Sequence, residues 1–150
     1  MSRIPTRSRL VLAALLAALL ASSPARALTE GVTTQGLGFL SGGVGQDERA
    51  SMSARRNQFS LHLTAAARGS GAYLGEVQVL ILDSSGRQVL QTTMDGPWLM
   101  VGLALGEYRI KVRHGNQTLE KSTQIHASDL HEAFFYFDAD TETIPSGKSR

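Results

Sequence analysis

The chain contains no cysteine among its 150 residues. Disulfide staples, thiol nucleophiles and thiolate metal sites are therefore excluded, as is a lipid-modified cysteine at a processing site. Its first residues hold no adjacent pair of arginines of the kind a twin-arginine export signal requires. The apolar run Leu10–Ala21 has 12 residues, too short for a transmembrane helix, which needs roughly 20. Clusters of Lys and Arg that would mark a nucleic-acid interface are also missing. No serine lies in a nucleophile-elbow pattern or a Ser-x-x-Lys pair, so the sequence offers no activated nucleophile.

What is present begins with a leader. Arg3, Arg7 and Arg9 precede the apolar run; Ser22, Ser23 and Pro24 end it; Ala25-Arg26-Ala27 then places small residues where a signal peptidase reads. This pattern predicts a cleavable signal peptide over residues 1–27, a mature N-terminus at Leu28, and a periplasmic or secreted bacterial protein without a membrane span after cleavage. The leader carries four of the 15 Lys and Arg and none of the 13 Asp and Glu, which leaves the mature chain with 11 against 13, a net charge of −2. The 123 residues that follow the leader suit one domain able to bury about two-thirds of its unfolded surface.

Residues 28–58 read as a glycine-rich lead-in followed by one short helix. Leu28–Gly38 has no period, and Ser41-Gly42-Gly43-Val44-Gly45 is glycine-rich. Gln46–Arg56 opens with Asp47 and Glu48 and closes with Arg55 and Arg56, which suits a helix dipole. From Phe59 the pattern turns to period two. Strands are predicted over Phe59–Ala65, Tyr73–Leu82 (apolar on both faces, hence central), Arg87–Thr93, Trp98–Val101, Glu107–Arg113, the polar edge strand Gln117–Ile125, and His131–Phe137. Asp83-Ser84-Ser85-Gly86, Asp95-Gly96-Pro97 and His114-Gly115-Asn116 are the turns. The expectation is an all-β protein: a seven-stranded antiparallel sandwich over 59–138 with one short N-terminal helix, and a disordered polar tail over 139–150.

Three places can be weighed as sites. The glycine-rich segment (Ser41, Gly42, Gly43, Gly45) with Arg49 precedes a helix and can cradle an anion on backbone N–H groups, although such glycines more often serve close packing. Trp98 beside Pro97, with Tyr73 and the Phe134–Phe137 cluster, can form an aromatic platform for a sugar or peptide; a lone tryptophan in a sandwich is more often its core plug. His126, Asp129 and His131 lie close enough in sequence to converge on a metal ion, but zinc normally needs a fuller ligand set, and solvated loop histidines are the plainer reading. His62 and His114 read as surface residues, and no cofactor is implied.

The stretches Ser85-Gly86-Arg87, Gly96-Pro97-Trp98-Leu99 and Leu103-Ala104-Leu105-Gly106-Glu107-Tyr108-Arg109-Ile110 resemble a carboxypeptidase regulatory-like domain, with Leu103, Gly106 and Tyr108 matching its Leu-x-x-Gly-x-Tyr turn into a central strand. Ala104 and Leu105 stand where that family usually has prolines. Ser41–Gly45 with Glu48-Arg49 is similar to the N-terminal signature of small exported proteobacterial proteins that carry this domain. The resemblance covers about residues 39–138 and implies an Ig-like, prealbumin-like sandwich acting as an accessory module. The Tyr-Arg-Gly-Ser terminus of the hydrolase with this fold is missing; the chain ends Pro145-Ser146-Gly147-Lys148-Ser149-Arg150. The functional expectation is a non-enzymatic envelope module that binds another protein or a cell-wall or polysaccharide component; the rival is a small-ligand or metal carrier in the periplasm.

Overall fold

A computed structural model describes residues 28–127 and 130–138. The expected signal peptide and C-terminal tail lie outside these residues, as does Asp129. Nine strands and one α-helix follow in the order β1 (Thr29–Val32), β2 (Gly38–Gly42), α1 (Gln46–Ala54), a 3-10 turn (Arg56–Gln58), β3 (Leu61–Ala67), β4 (Gln78–Asp83), β5 (Gln88–Thr93), β6 (Trp98–Val101), β7 (Gly106–His114), β8 (Gln117–Ile125) and β9 (His131–Phe137). They form a first sheet ordered β1-β2-β6-β3-β9 and a second ordered β5-β4-β7-β8.

The two sheets bury their alternating apolar residues against each other. Leu61, Leu63 and Ala65 of β3, Leu99 and Val101 of β6, and Phe135 and Phe137 of β9 meet Val79 and Ile81 of β4, Val89 of β5, Tyr108, Ile110 and Val112 of β7, and Ile125 of β8. Period two dictates this, because every second side chain of a strand points the same way. On β7 the alternation is clear: Tyr108, Ile110 and Val112 are buried, while Glu107, Arg109 and Arg113 are exposed. β4 lies between β5 and β7, as its apolar composition predicts, with Leu80 and Leu82 half-buried on the outer face. β8 is the polar edge.

Three features differ from expectation. The strands number nine rather than seven, because the lead-in contributes β1 and β2; β2 pairs with β6 through Phe39↔Val101 to Gly42↔Trp98 and is part of the first sheet. Its sequence, Gly38-Phe39-Leu40-Ser41-Gly42, is too glycine-rich to show a strand period. The sandwich is also not wholly antiparallel: β3 and β9 pair in parallel from Leu61↔His131 to Ala67↔Phe137. Finally, the first sheet is covered on its outer side too. Helix α1 lays Met52 against Leu40, Phe59 and Met100 in a second, smaller core, with Leu28 and Trp98 at its margin. Arg55, just past the helix, pairs with Glu30 of β1 and ties the two together. Among the described residues no helix is long and apolar enough to cross a membrane.

Candidate functional site

The glycine-rich segment runs from the end of β2 to the start of α1. Both N–H groups that an anion would use there, those of Gly43 and Val44, donate to Glu48 Oε2 at 2.9 and 3.1 Å. The Arg49 guanidinium turns back to donate to the carbonyls of Gly43 and Val44 at 2.9 and 3.0 Å. The first turn of α1 therefore supplies both the anion and the cation of this loop from its own side chains. Ser41 is fully buried, and its Oγ accepts the N–H of Asp95 at 2.9 Å. Gly43 has φ +90°, and a Cβ there would lie 3.1 Å from Trp98 Cγ. Gly45 is the residue that precedes the helix, in extended conformation. Ser41, Gly43 and Arg49 thus tie β2, α1 and the turn before β6 together, and Gly42 and Gly43 are closely approached by neighbouring side chains, whereas a Cβ at Gly45 would meet nothing within 4 Å.

Trp98 does not plug the core between the sheets. Register places it on the outer face of the first sheet, opposite Gly42 of β2 and Thr64 of β3, where it is half-buried. The ring of His62 meets it edge-on, with centroids 5.0 Å apart. His62, expected at the surface, is 9% exposed, because the outer face it occupies is covered by Trp98 and its neighbours. Its Nδ1 lies 4.0 Å from Glu132 Oε1, which in turn accepts from Arg56 at 2.7 Å; its Nε2 has no hydrogen-bond partner. Burial lowers the pKa of His62, opposed by the Glu132 charge and assisted by Arg56.

Beyond Trp98 the same face carries an aromatic trough. Phe134 and Tyr136 of β9 flank Thr64 and Ala66 of β3 on one side. Trp98, opposite Thr64, and Tyr73, bridged to Ala66, flank them on the other. The floor residues are buried, whereas Phe134, Tyr136 and Tyr73 are 43, 45 and 56% exposed. The Phe134 and Tyr136 rings are nearly parallel, 12° apart with centroids separated by 6.4 Å. One end of the trough is closed by the Arg56–Glu132 pair and the other by Arg68–Asp138 at 2.6 Å. At the free edge of β9, Lys121 Nζ of β8 donates to the Phe134 carbonyl, and the Gln117 amide exchanges hydrogen bonds with the backbone of Asp138 at 2.9 and 3.0 Å. In the sequence these residues of β9 form one undivided aromatic cluster. Which of them face out depends on the register with β3, which the sequence does not display.

Of the histidine group, two members are described. The His126 and His131 rings lie 5.7 Å apart, Asp129 is outside the described residues, and no three His, Asp or Glu side chains among those described are placed to hold a metal ion. His114 leans on Phe137 at 5.5 Å. A cleft of about 500 Å³ opens at the β3 entry end, between Arg56–Ser60, Gly102-Leu103 and His126-Ala127; its one cation, Arg56, is already paired to Glu132. No protein-family model matches the chain, and no curated protein shows significant similarity to it.

Proposed function

We propose that the chain is a non-enzymatic module exported to the bacterial envelope, periplasmic or secreted, which holds a protein or polysaccharide partner on the outer face of its first sheet. The observation that carries this reading is the cluster of exposed rings at Tyr73, Phe134 and Tyr136 beside half-buried Trp98. Contiguous apolar surface costs solvation free energy in a free monomer and marks interaction sites. At β9 the face is favoured over the strand edge because side chains of β8 already occupy that edge. In this reading β3 to β9 form a seven-stranded prealbumin-like sandwich of the carboxypeptidase regulatory-like type, and β1 and β2 are an N-terminal addition. The stretches that resemble that family fall at the β4–β5 turn (Ser85–Arg87), at the start of β6 (Gly96–Leu99) and at the entry into β7 (Leu103–Ile110), and they specify no partner.

The test is retention of the purified mature chain on isolated envelope fractions: sacculi, outer membrane and soluble periplasmic protein. We expect binding to one fraction and its loss in the double variant Phe134→Ser, Tyr136→Ser. Equal retention of wild type and variant would remove the face from the proposal, and no retention on any fraction would remove the module reading itself.

A further inference from the structure

We propose that His62 is an acid-sensitive latch, whose uptake of a proton releases the layer of α1 and the 3-10 turn from the outer face of the first sheet. His62 lies on that face, opposite Met100 of β6 in register, with the Trp98 ring edge-on to it at 5.0 Å. Met100 belongs to the small outer core that Met52 completes from α1, and Trp98 packs at its margin. The imidazole is buried. Its Nε2 has no hydrogen-bond partner, and its Nδ1 lies 4.0 Å from Glu132 Oε1. That oxygen is already held by Arg56 of the 3-10 turn at 2.7 Å. The Arg56–Glu132 pair is thus a strap that joins the layer to β9, and His62 sits beside it.

A neutral imidazole suits this place and an imidazolium does not. Protonation gives the ring an N–H at both nitrogens, and the one at Nε2 has no acceptor to reach, which costs free energy in a buried site. It also sets a second cation beside the Arg56 guanidinium at one carboxylate. Glu132 of β9 and Arg56 are the charges that act on His62. From β6 it meets Trp98 and Met100, neither of which titrates, and His131, paired with Leu61, alternates to the other face of β9. The charges of α1 are engaged elsewhere. Glu48 and Arg49 bond the preceding loop, Arg55 pairs with Glu30 of β1, and Asp47 stands in the first turn, at the opposite end from Arg56. Burial lowers the pKa of His62, the Glu132 charge raises it by less, and Arg56 lowers it again. A histidine depressed in this way stabilises the fold in full above its ordinary value of 6.5, and the contribution is lost as pH falls through the folded value. The layer gives way before the sandwich does, because Met52 is the one buried side chain of α1, whereas the core between the sheets draws on every strand from β3 to β9.

The experiment takes the mature chain from about pH 7.5 to about pH 4.5, a range that brackets histidine titration. The single tryptophan of the chain is Trp98, so its emission reports on the latch itself. Amide hydrogen exchange, corrected for the intrinsic effect of pH, reports on each element. The expected result is one transition with a midpoint below pH 6.5. In it Trp98 emission moves to longer wavelength and the amides of α1 lose protection about tenfold or more, while those of β4 and β7 keep theirs. His62→Leu should abolish the transition and leave the neutral-pH spectrum unchanged. Where that variant fails to fold, two others decide. Glu132→Gln should lower the midpoint, because it removes the charge that favours the imidazolium, and Arg56→Gln should raise it, because it removes the charge that opposes it. A merely structural role for these side chains would not move the midpoint in opposite directions. The proposal is overturned by the absence of a transition, by its persistence in His62→Leu, or by shifts of the two charge variants in the same direction. It is equally overturned by a loss of Trp98 intensity with neither a wavelength shift nor lost protection in α1, which would mean that His62 titrates in place. Loss of protection in all elements together, the mark of global acid unfolding, overturns it as well.

Discussion

Ile110 and Lys111 are neighbours on β7 that face opposite ways. Ile110 is fully buried between the sheets, whereas the Lys111 ammonium lies 3.5 Å from Glu120 in solvent. Ile110→Ala removes packed methyl groups and leaves a cavity, costing about 2–5 kcal/mol; for a domain near this size that lowers the melting temperature by about 10 °C or more. Lys111→Ala loses only an exposed ion pair, worth less than about 1 kcal/mol. Thermal melts of the two variants check this, and equal effects would contradict the burial of β7. Gly96 makes a different demand. A Cβ there would lie 2.3 Å from the Gly42 carbonyl oxygen and 2.9 Å from a Val44 methyl. Gly96→Ala must push the glycine-rich loop away from the turn before β6, at a cost of about 1–3 kcal/mol. Because the loop lies under Trp98, the same variant should shift Trp98 emission as well as the urea midpoint; an unfolding free energy within about 0.5 kcal/mol of wild type would contradict the close approach.

At the scale of elements, the β4–β5 hairpin depends on one carboxylate. Asp83 Oδ1 accepts the N–H groups of Ser85 and Arg87 at 2.9 and 3.0 Å and the Ser85 hydroxyl at 2.6 Å, and Arg87 Nε donates to Oδ2 at 3.1 Å. The Ser85 hydroxyl above all, then the backbone N–H groups and the Arg87 charge, hold Asp83 at about 2 instead of 3.8. A depressed carboxylate stabilises the fold fully above its unfolded pKa, and the contribution disappears as pH falls through the folded value. The melting-temperature gap between wild type and Asp83→Asn should therefore be constant above about pH 5 and close between about pH 4 and pH 2. A gap independent of pH across that window would mean that the turn does not rest on the charge. The link between α1 and the loop before it is of the same kind, since Glu48 and Arg49 satisfy loop groups that the backbone alone leaves open.

For the whole molecule, the absence of cysteine means that the two cores alone hold the fold. Circular dichroism should show a β spectrum with a small helical part, α1 having nine residues, and a cooperative melt unchanged by reductant. A midpoint that falls on adding reductant would contradict this account. If the chain is exported as proposed, its mature form should begin at Leu28, because Ala25 and Ala27 occupy the small-residue positions after the apolar run. N-terminal sequencing decides it, and a mature species that retains Met1 would refute the export reading.

Period two located β3 and β5 to β9 within about two residues, and for Trp98–Val101, Gln117–Ile125 and His131–Phe137 the expected and observed bounds coincide; β4 starts at Gln78 rather than Tyr73, which instead makes an isolated bridge to Ala66. The acid-first, base-last composition of Gln46–Arg56 located α1 in the same way. These are local properties, written in the spacing of apolar side chains and in the end charges of a helix. What the spacing does not carry is what lies over each face. His62 alternates with Leu61 and Leu63 as a solvent-facing residue would, yet Trp98 covers it. Gly38–Gly42 has no strand period, yet β6 and α1 make it an inner strand of the first sheet. Phe134 and Phe135 are alike in composition, and only the parallel register of β9 on β3 puts one in water and the other in the core. A one-residue slip would exchange them. The aromatic trough therefore exists through pairing between strands about 70 positions apart, β3 with β9, and such pairing is decided by the packing of the two sheets together, not by either segment alone.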